Sequence, residues 1–162
     1  MGIVDDVSKE LEKIPWFQEL SKDHVRKIAE ITSMHHVKAG EVLFREGDNE
    51  DCVYVVIEGR IALDMFVPHR GKVRFYTAEP WEVFGWSSVT PNIRQRTAGA
   101  TAVVEGSIVC INSEKLREAC DEDHDLGYLV MRRLANVVAS RLLVTRLQLL
   151  DMFANPETKN VK

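Results

Sequence analysis

The sequence predicts an α+β fold, with helices at both ends and an antiparallel β body between them. Three observations carry this. Apolar residues recur at three- and four-residue steps up to about residue 35, and the same spacing returns after Asn112. From about His36 to Asn112, short runs rich in Val, Ile and aromatics are separated by KAGE, REGDNED, EGR, PHRGK and VEGS. Repeated short strands punctuated in this way build a sandwich or barrel.

Each element has a local reason. DDVSKELEKI places Val7, Leu11 and Ile14 on one helical face, and Pro15 ends it. Ser21 caps a second helix in which Val25, Ile28, Ala29 and Ile31 recur. Val42 and Phe44, then Ile61, Leu63 and Met65, alternate as half-buried strands do. CVYVVIEGRIALDMF reads as a hairpin turning near Gly59. SEKLREAC is a short helix with Ser113 as its cap, and DLGYLVMRRLANVVASRLLVTRLQLLDMF is one long helix in which only Gly127 is a weak helix former.

From Leu142 to Phe153 that helix is apolar nearly all round, so it needs cover on two sides. Its own β body supplies one, and a second copy of the chain is the most economical source of the other. Val130, Val137 and Val144 fall at seven-residue steps, as in a two-helix seam. The tail ANPETKNVK is polar and reads as a loose end. With no repeat, low-complexity run or linker, residues 1–162 form one domain: N-terminal helices over 1–35, the β body over 36–112, C-terminal helices over 113–153 and a tail over 154–162.

Composition narrows the function. With 162 residues, 45% of them hydrophobic and 28% charged, the chain has a soluble, globular make-up. A net charge of -4 argues against coating nucleic acid or acidic membrane. No apolar run approaches the roughly 20 residues of a membrane span. MGIVDDVSKE lacks the basic start and apolar core of a signal peptide, and Asp6 spoils Gly2 as a lipidation site. Cys52, Cys110 and Cys120 are an odd number without short paired spacing, so neither a disulfide framework nor a zinc site follows from them, and they read as buried, reduced thiols in the cytoplasm. His35 and His36 point to opposite faces of a strand, while His24, His69 and His124 are scattered, so no metal site forms. No Ser or Cys nucleophile has a placed histidine. Neither an enzyme nor a resident cofactor is expected.

The stretch VFGWSSVTPNIRQRTAGATA has the makings of an anion holder: a glycine, two hydroxyl residues, then Arg96-Thr97 before an apolar strand. Together with KAGEVLFREGDNEDCVYVVIEGRIAL, it resembles the cyclic-nucleotide-binding domain family, over about Pro15 to Phe153. In the first segment Gly40, Gly47, Asp48 and Gly59 stand where that family places turn residues. The resemblance implies an antiparallel β-roll (a jelly-roll-like double-stranded β-helix) flanked by N-terminal helices and a long C-terminal dimerisation helix.

It also implies a phosphate-binding cassette over 83–97. There a short helix after Gly85, through Trp86 and Ser87, turns its free N–H groups towards a cyclic phosphate. Arg96, eleven residues on, supplies the counter-charge and Thr97 a hydroxyl. A sheltered charge-assisted contact of this type contributes roughly 1.5–3 kcal/mol. On the final helix, Thr145 stands where a relative bonds the adenine amino group, and Arg146 next to it can stack on a purine or donate to it.

Trp86 departs from the family pattern. A glutamate usually follows this glycine and accepts the ribose 2′-hydroxyl, whereas indole only donates; the loss weakens ribose binding roughly ten- to a hundredfold. Three readings stand at this point. The chain binds a cyclic nucleotide (cAMP or cGMP) weakly, or it holds another small anion, or Trp86 fills the pocket and the fold serves only as a protein-interaction and dimerisation module. The first two make it a ligand-sensing regulatory module, a homodimer through its last helix, that signals to a downstream protein. Direct DNA binding is not expected, because the nine residues after Phe153 are too few for a helix-turn-helix domain.

Overall fold

The computed structural model describes residues 3–49, 51–90, 92 and 95–154. Two long antiparallel strands, β3 (Cys52–Val67) and β6 (Gly99–Asn112), organise its sheet. Of the numbered strands, β1 (Thr32–Val37) and β2 (Val42–Phe44) pair with β6, while β4 (Gly71–Ala78) and β5 (Val83–Phe84) pair with β3. The main path is β1-β6-β3-β4. Helices α1 (Ile3–Lys13) and α2 (Lys22–Glu30) precede the sheet, and α3 (Ser113–Glu122) and α4 (His124–Ala154) follow it.

The stretch that reads as a hairpin is one continuous strand of 16 residues. Gly59 does not turn the chain back. It has φ +90° and sits where the β3–β6 register shifts three times between Val56 and Ile61. Gly106 faces it so closely that a Cβ there would lie 2.0 Å from the Glu58 carbonyl oxygen. Paired glycines on neighbouring strands make room for bulges, and both strands bend together, which folds the sheet over on itself.

That bend separates two cores. Inside the roll, Val37, Phe44, Val56, Ile61, Phe84 and Ile108 pack together. Beneath it, Leu11, Ile14, Phe17 and Ile28 meet Val53, Val109 and Ile111 of the strands, and Leu116, Leu126 and Val130 of α3 and α4. Burying each such side chain contributes about 1.5–3 kcal/mol.

Several boundaries shift from the sequence reading. Residues 32–35 join the sheet instead of the helices, because β1 pairs with β6 from Thr32↔Ile111 onwards. Ser21 caps α2 as expected, accepting from His24 N at 3.1 Å. The α3 cap is Asn112, whose Oδ1 accepts from Lys115 N at 2.9 Å, while Ser113 is buried as the first helical residue. Gly127 has a packing reason: a Cβ there would lie 2.7 Å from the Cys120 carbonyl. Cys120 is buried, but Cys52 and Cys110 are half-exposed. Ala154 ends α4. Gly2 and the tail from residue 155 on lie outside the described residues.

Helix α4 faces its own domain with the valines that the heptad spacing assigns to a seam. Val130 is 1% exposed, Val137 packs on the lower core and Val144 lines a cavity described below. The outward stripe is Met131, Ala135, Val138, Leu142, Leu149 and Met152, all exposed. No described helix is long and apolar enough to cross a membrane.

Candidate functional site

The two glycine-punctuated segments meet around Arg96. Gly47 N donates to the Arg96 carbonyl at 2.8 Å, and Arg96 N donates to the Asp48 carbonyl at 2.7 Å. The turn that presents these groups is itself held by Asp48, whose Oδ2 accepts from Arg45 N at 2.7 Å. The turn at Gly47 and Asp48 therefore fixes the main chain of Arg96, which lies nearly a third of the chain away in sequence.

The Arg96 side chain turns inward. The residue is 3% exposed. Its Nη1 donates to the Gly85 carbonyl at 3.2 Å and its Nη2 to the Cys52 carbonyl at 2.7 Å, with Asp51 Oδ1 at 3.5 Å from Nη2. The guanidinium carbon lies 4.2 Å from the Phe44 ring centroid and 5.4 Å from that of Tyr54. Tyr54 and Phe84 stack at 5.0 Å behind it. Cation–π contact, two carbonyls and a nearby carboxylate together offset the cost of sheltering the charge.

Gly85 shows why its position excludes a side chain. With φ +67°, it is left-handed, and a Cβ would meet Arg96 Nη1 at 2.6 Å and Tyr54 Cδ2 at 3.0 Å. Its carbonyl also accepts from Ser88 N at 3.2 Å and Ser88 Oγ at 2.8 Å. From this knot the short 3-10 helix Trp86–Val89 begins. Ser88 ties that helix to α3 through Ser113 Oγ at 2.5 Å, and Arg117 Nη1 donates to the Ser88 carbonyl at 2.6 Å. The cassette is thus anchored on both its flanks.

A cavity of about 240 Å³ opens between this cassette and α4. Of the seven residues singled out in the sequence, Gly85, Trp86, Ser87, Arg96, Thr97 and Thr145 line it. Arg146 is not among the lining residues and is exposed. Trp86 is half-buried, packs against the lower core and leaves the cavity open.

The sequence reading misses Arg141, Val144 and Gln148, which also line the cavity. With Thr145 they stand at i, i+3, i+4 and i+7, one face of α4. Two polar residues at that spacing on an apolar helix were the available signal, and Arg146 lies one step off the face. Arg141 Nη2 donates to the Val83 carbonyl at 3.1 Å, and its guanidinium lies over the Tyr76 ring at 3.3 Å. Tyr76 in turn donates to Glu82 Oε1 at 2.7 Å, 3.7 Å from Arg141 Nη1. Burial brings the Arg141 pKa down to about 10, which leaves it charged at neutral pH. Gln148 Nε2 donates to the Phe75 carbonyl at 3.1 Å, and Thr145 Oγ1 donates to the Arg141 carbonyl at 2.9 Å.

Residues 34–123 match the sequence profile of the cyclic nucleotide-binding domain, more than half of the chain. The chain belongs to the cyclic nucleotide-binding domain family. Among solved structures of this domain, it is similar to a candidate cyclic nucleotide-binding protein from Geobacter metallireducens, with 27% identity, TM-score 0.73, and 83% of this chain and 97% of that one covered. A cyclic nucleotide-binding domain from Methylobacillus flagellatus shares the fold at 18% identity and TM-score 0.76, over 91% and 83% of the two chains. So does the regulatory domain of Toxoplasma gondii PKA, crystallised with cAMP, at 16% identity and TM-score 0.65, over 83% and 50%. No curated protein sequence is a significant match.

Proposed function

We propose that this chain is a regulatory module that binds a cyclic nucleotide, cAMP in preference to cGMP, and reports its presence through α4. One observation carries the reading: the buried Arg96 guanidinium and a pair of acceptors on α4 stand around one cavity. The phosphate sits against Arg96, the Thr97 hydroxyl and the amides at the start of the Trp86–Val89 helix. The base reaches α4, past Phe75 and Tyr76.

The hydrogen-bond inventory of α4 supports the base preference. The Thr145 hydroxyl spends its proton on the Arg141 carbonyl, so its oxygen is left to accept. Gln148 Nε2 donates one of its two protons to the Phe75 carbonyl, an orientation that leaves Oε1 to accept. Two acceptors suit the exocyclic amine of adenine and oppose the 6-oxo group of guanine. An acceptor left facing an acceptor once the ligand covers the site costs roughly 1–3 kcal/mol, which is on the order of tenfold or more in affinity. The described lining contains no Asp or Glu, so no carboxylate receives the sugar hydroxyl, and binding is weaker than in a relative that has one.

Calorimetric titration tests this. The wild type binds cAMP at least about tenfold more tightly than cGMP, and Gln148→Ala weakens cAMP about two- to tenfold while narrowing that ratio. Negligible heats with both nucleotides would remove the reading and leave a contact module.

Signalling and assembly share the same helix. A ligand touching Thr145 and Gln148 binds differently according to where α4 lies, so occupancy biases the helix position for a protein partner to read. The homodimer we propose pairs the outward stripe of α4. Leu142 and Leu149 stand seven residues apart on it, and Leu143, Leu147, Leu150 and Phe153 beside it are exposed too, a run of apolar side chains that a second copy would cover. Leu142→Glu combined with Leu149→Glu yields a monomer in analytical ultracentrifugation where the wild type sediments as a dimer. An unchanged sedimentation coefficient would place the interface elsewhere.

A further inference from the structure

Two of the three cysteines meet across the sheet. Cys52 is the first residue of β3 and pairs with Asn112, and Tyr54 pairs with Cys110, with no register shift between these rungs. Cys52, Tyr54 and Cys110 therefore share one face, the cysteines on a diagonal. Both are half-exposed, and each thiol shifts the titration of the other. The hydrogen bond from Cys52 holds the Cys110 thiol below its ordinary range against the opposing effect of burial, with a further bond from Ser33. The same bond, with burial, pushes Cys52 up. The pair thus divides into a nucleophile and a proton donor. Cys120 stands apart, buried, with its thiol pushed up to about 11 by that burial.

We infer that Cys52 and Cys110 are an oxidisable dithiol, converted by a peroxide to a cross-strand disulfide that alters ligand affinity by moving the main chain on which Arg96 is anchored. The affinity part rests on the ligand reading above; the thiol chemistry does not. In the first step, the Cys110 sulfur attacks one peroxide oxygen. The O–O bond breaks, one water leaves and a sulfenic acid remains. The Cys52 sulfur then attacks the Cys110 sulfur, the S–S bond forms, and the hydroxyl departs with the Cys52 proton as a second water. Two electrons pass from the sulfurs to the peroxide, so two thiols and one peroxide give one disulfide and two waters.

The coupling is geometric. Diagonal residues across a strand pair lie about 7–8 Å apart at Cα, beyond the roughly 4.4–6.8 Å that a disulfide spans, so closing the bridge draws Cys52 towards β6. Strand β5 gives Cys52 no partner, since its pairing with β3 involves Tyr54 and Val55. The Cys52 carbonyl accepts from Arg96 Nη2 at 2.7 Å, and Asp51 next to it lies 3.5 Å from the same nitrogen. Any displacement of Cys52 is thus passed directly to the guanidinium. A bridge closed against strain is readily reduced again, which makes the modification reversible by ordinary thiols.

The test treats the purified chain with an equimolar amount of hydrogen peroxide, then alkylates and digests it without reduction. The expected product is a peptide pair linked through Cys52 and Cys110, with Cys120 still alkylated and dithiothreitol restoring both thiols. The oxidised protein's cAMP affinity differs from the reduced protein's by at least about threefold, and Cys52→Ser or Cys110→Ser removes that response. The Arg96 Nε–H resonance, which needs no ligand, shifts on oxidation in the wild type and not in either variant. Two thiols that stay reduced, or that over-oxidise singly without a link, would overturn the dithiol assignment. A linked peptide with an unmoved Arg96 resonance would overturn the coupling. Failure of the reduced wild type to bind cAMP would strike the ligand reading instead, leaving the linked peptide and the resonance to judge this proposal.

Discussion

Arg96→Ala lowers cAMP affinity at least about a hundredfold, the loss of roughly 3 kcal/mol of charge-assisted contact in a sheltered site. The same substitution also costs stability, because the Gly85 and Cys52 carbonyls lose the donors now at 3.2 and 2.7 Å. The Cys52 carbonyl, left without that donor in a sheltered position, costs about 1–3 kcal/mol, while the Gly85 carbonyl keeps its bonds from Ser88 N and Oγ. In a chain of this size every kcal/mol lowers the melting temperature by about 2–4 °C. Binding must therefore be titrated at a temperature where circular dichroism finds the variant as folded as the wild type. Arg96→Lys separates the two effects: it keeps the charge but loses the planar fork that spans both carbonyls, so it recovers only part of the affinity. An Arg96→Ala protein that is folded and binds cAMP like the wild type would refute the site.

Gly106→Ala has the largest expected effect on stability. The added Cβ would lie 2.0 Å from the Glu58 carbonyl oxygen, 2.5 Å from its carbon and 2.8 Å from Gly59 Cα, all backbone atoms of the facing strand. No flexible side chain can swing aside, so β3 and β6 must part where they bend. A clash of this kind costs at least about 3 kcal/mol out of the roughly 5–15 kcal/mol that hold a domain together. The melting temperature falls by about 6–12 °C or more. Gly71→Ala is the control: nothing lies within 4 Å of its Cβ position and only the φ of +76° is strained, so it costs about 1 kcal/mol. Equal thermal shifts for the two variants would mean that the Gly59–Gly106 approach is not what shapes the roll.

The candidate site and the bend of the sheet were unequally legible in the sequence. Gly85, Arg96 and Thr97 could be singled out because their chain-local spacing resembles the family's, and Thr145 because its stretch of the final helix resembles a relative's. Gly59 could not be assigned correctly, since a glycine that turns a hairpin and one that bulges a long strand look alike until the facing strand is known. Gly106 explains the difference, and it lies on β6, far away in the chain. Arg141 and Gln148 were passed over for Arg146 for a related reason. On a helix apolar nearly all round, periodicity alone does not say which face meets the cavity.

Taken alone, the sequence determined the order of helices and strands, the cassette spacing and the need for cover on α4, because each follows from periodicity and turn chemistry within a few residues. The tertiary structure decided the rest: Val130, Val137 and Val144 face inward, Arg141 and Gln148 meet the cassette, and the cysteines of β3 and β6 come together. Those outcomes depend on which surfaces a bent sheet brings into contact, and strand pairing between distant segments sets that bend.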